Sequence, residues 1–405
     1  MNFKLQCREC KAIYEPEPKF VCERCLGPLE VVYDFKEVKF SVDVLKGRKK
    51  NMWRYSEVIP VRSVPEQFMD IGFTPLYKSS RLGKLIGLKE FYIKNDTLNP
   101  TGSFKDRPAS VAIIKSLEFG FKAVGTSSTG NLAAAVAALS SRVGLSSFVL
   151  VPSNAELSKV AQAIAYGSNV LLVNGNYDEL NFLTLQLAES GLYGLANVNL
   201  RPYYAEGSKT LAYEIVEQLD WSLPDKIIIP MASGALLYMI WKGLNELKEL
   251  DLVENKDVAL IGVQPQGCSP IVSAYKNGQN NPIISDCKTV AKSLAIGNPA
   301  DGRYAIKVIR DSKGLAVDVT DEEIVNAMKL LAKYEGIFAE PAGAITIAAL
   351  IKLVNNGIIK SDEQVICLVT GSGFKALEIF EEDVRRLRAN PIEANLQVIE
   401  SQIIR

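Results

Sequence analysis

The sequence contains no histidine among its 405 residues. This absence excludes catalytic triads that use histidine and metal sites built from imidazole. Proton transfer near neutral pH must therefore use a lysine, a carboxylate, a tyrosine or a cofactor group. A cofactor that supplies its own electron sink, together with one lysine that moves protons, satisfies this constraint.

The chain also lacks a charge excess and a long apolar run. It has 46 Lys and Arg against 46 Asp and Glu, so no net charge attracts nucleic acid. The longest apolar stretch, between Lys226 and Lys242, is interrupted by Pro230 and is shorter than the ~20 residues that span a bilayer. The N-terminus has charges and cysteines where a signal peptide would need an apolar core. We therefore expect a cytoplasmic protein of two or three domains, with a small-molecule substrate and neither a nucleic-acid nor a membrane partner.

Cysteine is concentrated near the N-terminus. Four of the seven cysteines form two CxxC pairs, Cys7 with Cys10 and Cys22 with Cys25. Two such pairs suit tetrahedral zinc, because each presents two thiolates to one ion. Reduced thiols, or a ribbon that has lost its metal, remain the alternatives. We expect no disulfide in a cytoplasmic protein, and residues 1–33 predict a small zinc-ribbon-like segment with a structural role.

From Thr74 onward, short apolar runs alternate with helical patterns. The alternation predicts an α/β fold with parallel sheets covered by helices on both faces. The predicted strands are 91–93, 123–125, 148–151, 170–173, 227–229, 259–263 and 365–370, and predicted helices include 131–143 and 321–335.

Lys105 ends a tight polar turn at the point where a helix should begin. Asp106 is the expected N-cap, and Pro108 fits only in a first helical turn. The positive end of a helix disfavours a charged ammonium, which frees the amine for Schiff-base chemistry. An ordinary surface lysine is the alternative.

Three more loops follow predicted strands, where ligands bind in open α/β sheets. Ser127–Asn131 opens an alanine-rich helix, Pro230–Leu236 is a loop of small residues before a helix, and Thr370 precedes two glycines. Exposed amides in such loops can bind anions. Each loop also has an alternative interpretation. Ser127–Asn131 could be a plain N-cap, Pro230–Leu236 a buried strand-turn-helix, and the loop after Thr370 a nucleotide-binding turn.

The run around Lys105 resembles the Schiff-base lysine segment of the class that contains threonine synthase, threonine dehydratase and tryptophan synthase β, the second fold type of pyridoxal-phosphate enzymes. The three loops resemble the other cofactor motifs of this class, in the same order. The resemblance implies two parallel-sheet α/β domains of the tryptophan synthase β type after the zinc-ribbon-like segment. The large cofactor-binding domain would comprise 34–110 and 216–405, and the smaller one 111–215. A homodimer is expected.

The resemblance also implies roles for individual residues. Lys105 would be catalytic and hold pyridoxal 5'-phosphate, Asn131 would contact its phenolic oxygen, and Thr370 would face its pyridine nitrogen. The residues that would hold the cofactor phosphate are Ala232, Ser233, Gly234, Ala235 and Leu236. Those that would hold the substrate carboxylate are Ser127, Ser128 and Thr129. The phosphate loop has fewer glycines than is usual in the family.

The segment 197–210 resembles the part of threonine synthase that ends in Glu-Gly-x-Lys-Thr. Family members often carry an arginine near the position of Tyr204, where it helps to hold the substrate phosphate. Here Arg201 and Lys209 flank Glu206-Gly207, which we expect to be a turn, and we assign both cations to that phosphate. Solvated charges are the alternative. The segments 296–299 and 338–344 resemble the same family.

The resemblance therefore predicts a pyridoxal-phosphate-dependent carbon–oxygen lyase acting on phosphates, which converts O-phospho-L-homoserine and water to threonine and phosphate. Three alternatives remain. They are a cysteate synthase that uses phosphoserine and sulfite, a threonine or serine dehydratase, and a non-catalytic homologue.

Overall fold

The computed structural model describes residues 3–38, 40–128, 130–153, 157–175, 177–389 and 391–403. The strands are β1 (Phe3–Cys7), β2 (Ile13–Tyr14), β3 (Leu29–Tyr33), β4 (Leu76–Lys78), β5 (Glu90–Asn95), β6 (Ala123–Ser127), β7 (Ser146–Pro152), β8 (Asn169–Val173), β9 (Tyr193–Leu195), β10 (Lys226–Pro230), β11 (Ala259–Pro265), β12 (Leu315–Val319) and β13 (Gln364–Val369). The helices are α1 (Val42–Lys46), α2 (Arg81–Ile86), α3 (Asp106–Glu118), α4 (Asn131–Arg142), α5 (Leu157–Ala165), α6 (Tyr177–Glu189), α7 (Arg201–Gln218), α8 (Ala235–Glu249), α9 (Pro270–Lys276), α10 (Gly302–Asp311), α11 (Asp321–Glu335), α12 (Pro341–Asn355), α13 (Glu381–Ala389) and α14 (Leu396–Ile403). Short 3-10 helices cover Met52–Val58, Glu66–Phe68, Asp96–Leu98, Lys292–Leu294, Gly373–Lys375 and Leu377–Phe380.

The N-terminal segment is a small antiparallel sheet. Its strand order is β2-β1-β3, and β1 pairs with both neighbours. The first CxxC pair lies at the end of β1, and the second lies in the turn before β3. The sheet therefore holds the two pairs side by side.

The largest sheet has six strands in the order β12-β11-β10-β13-β5-β4, all parallel except β4. The central position of β10 in this sheet explains why its sequence is apolar without interruption. Ile227 and Ile229 contribute to one hydrophobic core and Ile228 to another, because successive side chains point to opposite faces. Both faces of this sheet are therefore buried, as expected for a parallel sheet.

A second parallel sheet has four strands in the order β8-β7-β6-β9. The alanine-rich helix α4 packs against it. Ala133 and Ala137 face a small core under this sheet, whereas Val136 and Leu139 belong to the large core. Small side chains thus let α4 lie between two packed layers.

The strands and the two helices predicted from the sequence are confirmed, with ends that differ by at most two residues. A capping box fixes the start of α11, which was predicted correctly. The side chains of Thr320 and Glu323 each accept a hydrogen bond from the other residue's amide. The short strands β4, β9 and β12 were not predicted. The division into domains stays a prediction.

The expectation of no disulfide is wrong. Cys268 and Cys287 are bonded, with their Cα atoms 4.6 Å apart. The amide of Lys288 donates to the carbonyl of Gly267 over 3.0 Å, so the backbone itself brings the two cysteines together. Within the described chain, no helix has both the length and the apolar content needed to cross a bilayer.

Candidate active site

The candidate site lies at one edge of the six-stranded sheet. Strands β10, β13 and β5 are neighbours and run parallel, so their carboxyl ends meet at this edge. The loop Pro230–Leu236 follows β10, Thr370 follows β13, and the segment that leads to Lys105 follows β5. The topology thus brings three of the four predicted cofactor motifs to the same edge.

Backbone hydrogen bonds join the Lys105 segment to the Thr370 segment. The amide of Phe104 donates to the carbonyl of Thr370 over 2.9 Å, and the amide of Ser372 donates to Gly102 over 2.8 Å. Gly102 has φ +77°, a conformation that suits glycine. The turn before Lys105 is therefore fixed against the end of a buried strand.

Lys105 occupies the N-cap position of α3, one residue before the position predicted from the sequence. The N-cap prediction for Asp106 is wrong, because its carboxylate reaches back to Thr101 and accepts from the amide and the hydroxyl, each over 2.7 Å. This contact closes the turn in front of the lysine. The ammonium of Lys105 donates to the hydroxyl of Tyr204 over 3.1 Å.

A buried charge cluster supports the helix that starts after Lys105. The guanidinium of Arg107 is fully buried and binds Asp96 and Glu214, and Lys94 binds Glu214 over 2.7 Å. Burial alone would raise the pKa of Glu214, but the charges of Arg107 and Lys94 lower it to about 2. The cluster links β5, α3 and α7. It therefore fixes the first turn of α3, where Lys105 is the N-cap.

The sequence analysis gave no role to Glu340. Its carboxylate oxygen accepts from the side-chain amide of Asn131 over 2.7 Å, and its backbone amide donates to Gly371 over 2.9 Å. Glu340 therefore connects the fourth predicted motif to the Thr370 segment. Burial raises the pKa of Glu340 to about 7, although the hydrogen bond from Asn131 acts to lower it. One acidic residue within the otherwise apolar run 337–345 was the available sequence signal.

Two predicted substrate residues lie at the start of α4. Ser127 is buried at the end of β6, and the hydroxyl of Ser128 accepts from the amide of Gly130 over 3.3 Å. Thr129 lies outside the described residues. The geometry places Ser127 and Ser128 beside Asn131, within three or four residues of it in the chain.

The loop from Ala232 to Leu236 leads directly into α8. Gly234 is the N-cap with φ +92°, and the hydroxyl of Ser233 accepts a hydrogen bond from the amide of Ala235 over 3.4 Å. A Cβ atom at this position would come within 2.8 Å of the Cβ of Ala305 and 3.1 Å of the carbonyl oxygen of Asp301. Glycine is therefore required at 234, and the residues at 232, 233 and 235 beside it are small, as a phosphate at a helix N-terminus requires.

The two cations assigned to the substrate phosphate lie apart. Arg201 begins α7, on the same face as Tyr204 one turn later, and its guanidinium lies 2.5 Å from Asp301. Lys209 is fully buried, with its ammonium 2.5 Å from Glu206 and 2.9 Å from Glu246. Along the helix axis, Lys209 lies about 12 Å from Arg201. Its two carboxylate partners are separate from the ion pair that Arg201 forms with Asp301.

The predicted turn at Glu206-Gly207 is wrong, because α7 continues through both residues to Gln218. Glycine occurs there for packing. A Cβ atom at 207 would overlap the backbone carbonyl of Arg107 on α3. The close approach of α3 and α7 therefore explains the glycine that the sequence analysis took as a turn signal.

The four N-terminal cysteines converge at a second possible ligand site. The sulfur atoms of Cys7, Cys10, Cys22 and Cys25 all lie within 4.8 Å of one another. Cys7 and Cys25 are 3.5 Å apart at sulfur, as are Cys10 and Cys22. A tetrahedral ion with Zn–S bonds of about 2.3 Å needs sulfur atoms about 3.8 Å apart, so the cluster fits zinc.

Comparison with known proteins adds to this geometry. Residues 68–371 match the family described as pyridoxal-phosphate dependent enzyme. The chain is 40% identical to the threonine synthase of Methanocaldococcus jannaschii, over 97% of this chain and 98% of that protein. It is 39% identical to the threonine synthase of Methanosarcina acetivorans, over 99% and 98%. Maize serine racemase is similar in fold, with a TM-score of 0.66, 24% identity, and coverage of 78% of this chain and 93% of that chain.

Proposed function

Because the chain belongs to the pyridoxal-phosphate dependent enzyme family, we propose that it is a threonine synthase, a lyase that converts O-phospho-L-homoserine and water to L-threonine and phosphate. The observation that carries the proposal is the hydrogen-bonded joining of the Lys105 and Thr370 segments at the ends of β5 and β13. It occurs in a chain that is similar from end to end to threonine synthases.

The residues at this edge of the sheet suit pyridoxal phosphate. When bound, the cofactor supplies an electron sink for negative charge at the substrate carbons. Lys105 would hold it covalently, Asn131 would contact its phenolic oxygen, and Thr370 would face its ring nitrogen. The amides of the loop from Ala232 to Leu236, with Ser233, Gly234 and Ala235, bind its phosphate at the start of α8. The glycine N-cap of α8 and the small residues around it support this assignment.

Lys105 would take protons from Cα and Cβ of the substrate and return protons to Cγ and Cα, while phosphate leaves from Cγ and water adds at Cβ. Tyr204 lies against its ammonium and orients it. No histidine is present to share this work.

The substrate is held from two sides. Ser127 and Ser128 bind its carboxylate between β6 and α4, with Thr129 as a predicted third residue, and Arg201 binds its phosphate. Arg201 is 30% exposed at the side chain and makes one ion pair, so it keeps donors for a ligand. Lys209 is left out of this site, because its ammonium is committed to two buried carboxylates.

The four cysteines hold one structural zinc ion. Native mass spectrometry should find one zinc per chain, and the double change Cys7→Ser and Cys22→Ser should remove it. Folded wild-type protein without zinc, after growth with ample zinc, would refute this assignment.

The protein acts in the cytoplasm as a homodimer, and sedimentation of the purified holoenzyme tests the dimer.

Product analysis tests the proposed activity. Protein with cofactor is given either O-phospho-L-homoserine, or O-phosphoserine with sulfite, or threonine. The proposal requires L-threonine and phosphate in equal amounts from the first. Cysteate from the second would assign a cysteate synthase, and 2-oxobutanoate from the third as the main activity would assign a dehydratase.

A further inference from the structure

Arg8 connects the N-terminal sheet to the body of the protein. It lies inside the first CxxC pair, between Cys7 and Cys10, and only 8% of its side chain is exposed. Its guanidinium lies 3.1 Å from one carboxylate oxygen of Asp301 and 3.3 Å from Glu30. A charge at this depth needs fixed partners, so the two carboxylates determine where the guanidinium lies.

An aromatic contact fixes the same guanidinium from another side. Its carbon lies 3.9 Å from the centre of the Tyr238 ring, and the hydroxyl of Tyr238 donates to Glu30 over 2.8 Å. The amide of Tyr238 donates to the carbonyl of Gly234 in the first turn of α8. Arg8 therefore packs on the helix that begins at the proposed cofactor phosphate site.

Asp301 is the point where the N-terminal sheet, the cofactor loop and Arg201 meet. One carboxylate oxygen binds Arg8 and the other binds Arg201. Its backbone amide donates to the carbonyl of Ser233 over 3.0 Å. The carboxylate is buried, so neither oxygen has bulk water as an alternative partner.

We propose that Arg8 is a positioning residue for Arg201, and that the N-terminal sheet thereby tunes the affinity of the active site for the substrate phosphate. This inference rests on the proposed function, in which Arg201 binds that phosphate. While Arg8 occupies one oxygen of Asp301, Arg201 pairs with the other, and the remaining N–H groups of this partly exposed guanidinium stay available to the substrate. Without Arg8, both oxygens are open to Arg201, which then forms the two-point fork that arginine prefers with a carboxylate. That fork withdraws Arg201 from the substrate.

A purely structural role of Arg8 makes different demands. If Arg8 only attached the N-terminal sheet to the body, its loss would lower stability or cofactor content and would affect all ligands alike. A positioning role acts through Arg201 alone, on ligands that carry a phosphate. The two roles are therefore separable in a double-mutant cycle.

The test measures kcat and KM for O-phospho-L-homoserine in the wild type, Arg8→Met, Arg201→Ala and the double variant, all as holoenzymes. Arg8→Met should raise KM about tenfold and leave kcat within about twofold, as expected for loss of one charged contact. In the Arg201→Ala background the same change should raise KM by less than about twofold. Arg24→Met is the matched control, since Arg24 lies inside the second CxxC pair but is exposed. It should change neither constant.

Calorimetry with inorganic phosphate gives a readout that does not depend on turnover. Arg8→Met should weaken phosphate binding by the same factor as KM, with zinc content close to that of the wild type and a lower thermal midpoint, because Glu30 and Asp301 then stay buried with less positive charge. Equal effects of Arg8→Met with and without Arg201, or an unchanged KM, would overturn the proposal. If Arg8→Met does not fold, Arg8→Gln, which also removes the charge but keeps a polar side chain, replaces it in the same cycle, with the same coupling required.

The two proposals can fail separately. If the wild type makes no threonine but binds phosphate with the expected coupling between Arg8 and Arg201, the proposed activity is wrong and the positioning role stands. If threonine forms but no coupling is found, only the positioning role falls. A wild type that neither turns over the substrate nor binds phosphate refutes both.

Discussion

The ammonium of Lys105 lies 3.1 Å from the hydroxyl oxygen of Tyr204, although 99 residues separate the two in the chain. In the sequence, Tyr204 appeared only as a departure from the arginine that is common in threonine synthases. The structure gives it a contact with the candidate catalytic lysine. Arg201 lies one turn earlier on the same helix face, so the phenol and the guanidinium lie next to each other at the start of α7.

Tyr204→Phe should lower kcat for O-phospho-L-homoserine by up to about tenfold, with a smaller effect on KM, because a hydrogen bond worth about 0.5–1.5 kcal/mol no longer orients the ammonium. Steady-state kinetics measures both constants. Tyr203→Phe is the matched control, since that hydroxyl binds the backbone carbonyl of Glu17 away from the site. An equal loss of kcat in both variants would show that Tyr204 only stabilises the fold.

Glu340→Gln should remove a pH dependence of stability. The pKa of Glu340 is raised in the folded protein to about 7, against 4.5 in the unfolded chain. The folded state therefore keeps a proton that the unfolded state loses, and this contribution to stability is lost as the pH rises through 7. Glutamine keeps the acceptor for Asn131 and does not titrate.

Urea unfolding of the cofactor-free protein measures this effect. Between pH 5 and pH 8, the stability of Glu340→Gln relative to the wild type should rise by roughly 2–3 kcal/mol. A constant difference across this range would show that the carboxyl group of Glu340 does not titrate there.

Arg107→Met should destabilise the protein by about 3–5 kcal/mol, because it leaves Asp96 and Glu214 buried with too little positive charge. Arg142→Met is the matched control. Arg142 pairs with Asp70 at the surface, where an ion pair contributes about 0–1 kcal/mol. Unfolding free energies of the two variants that agree within error would contradict the structural role of the buried cluster.

The features that could be predicted from the sequence are those that depend on local residue patterns, namely the strands and the loops that follow them. Continuous apolar runs identified the parallel strands, and polar turns after them identified the loops that contain Lys105, Asn131 and Thr370. Three of these loops meet at one edge because their strands are neighbours in the sheet. The alternation of strands and helices predicted that the strands are parallel and that their loops share an edge.

Long-range pairings could not be predicted in this way. Arg8 and Asp301 are 293 residues apart, and nothing in either segment indicates the other. The disulfide depends on a backbone contact between two loops. Gly207 misled the analysis, because a glycine that permits close helix packing has the same sequence signal as one in a turn. Lys209 was assigned to the substrate phosphate from that turn, and the structure places its ammonium between two buried carboxylates.

Lys105 is the residue proposed to bind the cofactor, and the position of the covalent bond can be measured. Lys375 is the strongest rival, because it is a second lysine of the same edge whose pKa is lowered by burial. Borohydride reduction of the yellow holoenzyme, followed by proteolysis and tandem mass spectrometry, locates the fixed pyridoxyl group. The pyridoxyl group should be found on Lys105 alone in the wild type and on no residue in Lys105→Ala. Modification of Lys375, or an unchanged absorption band in Lys105→Ala, would contradict this assignment.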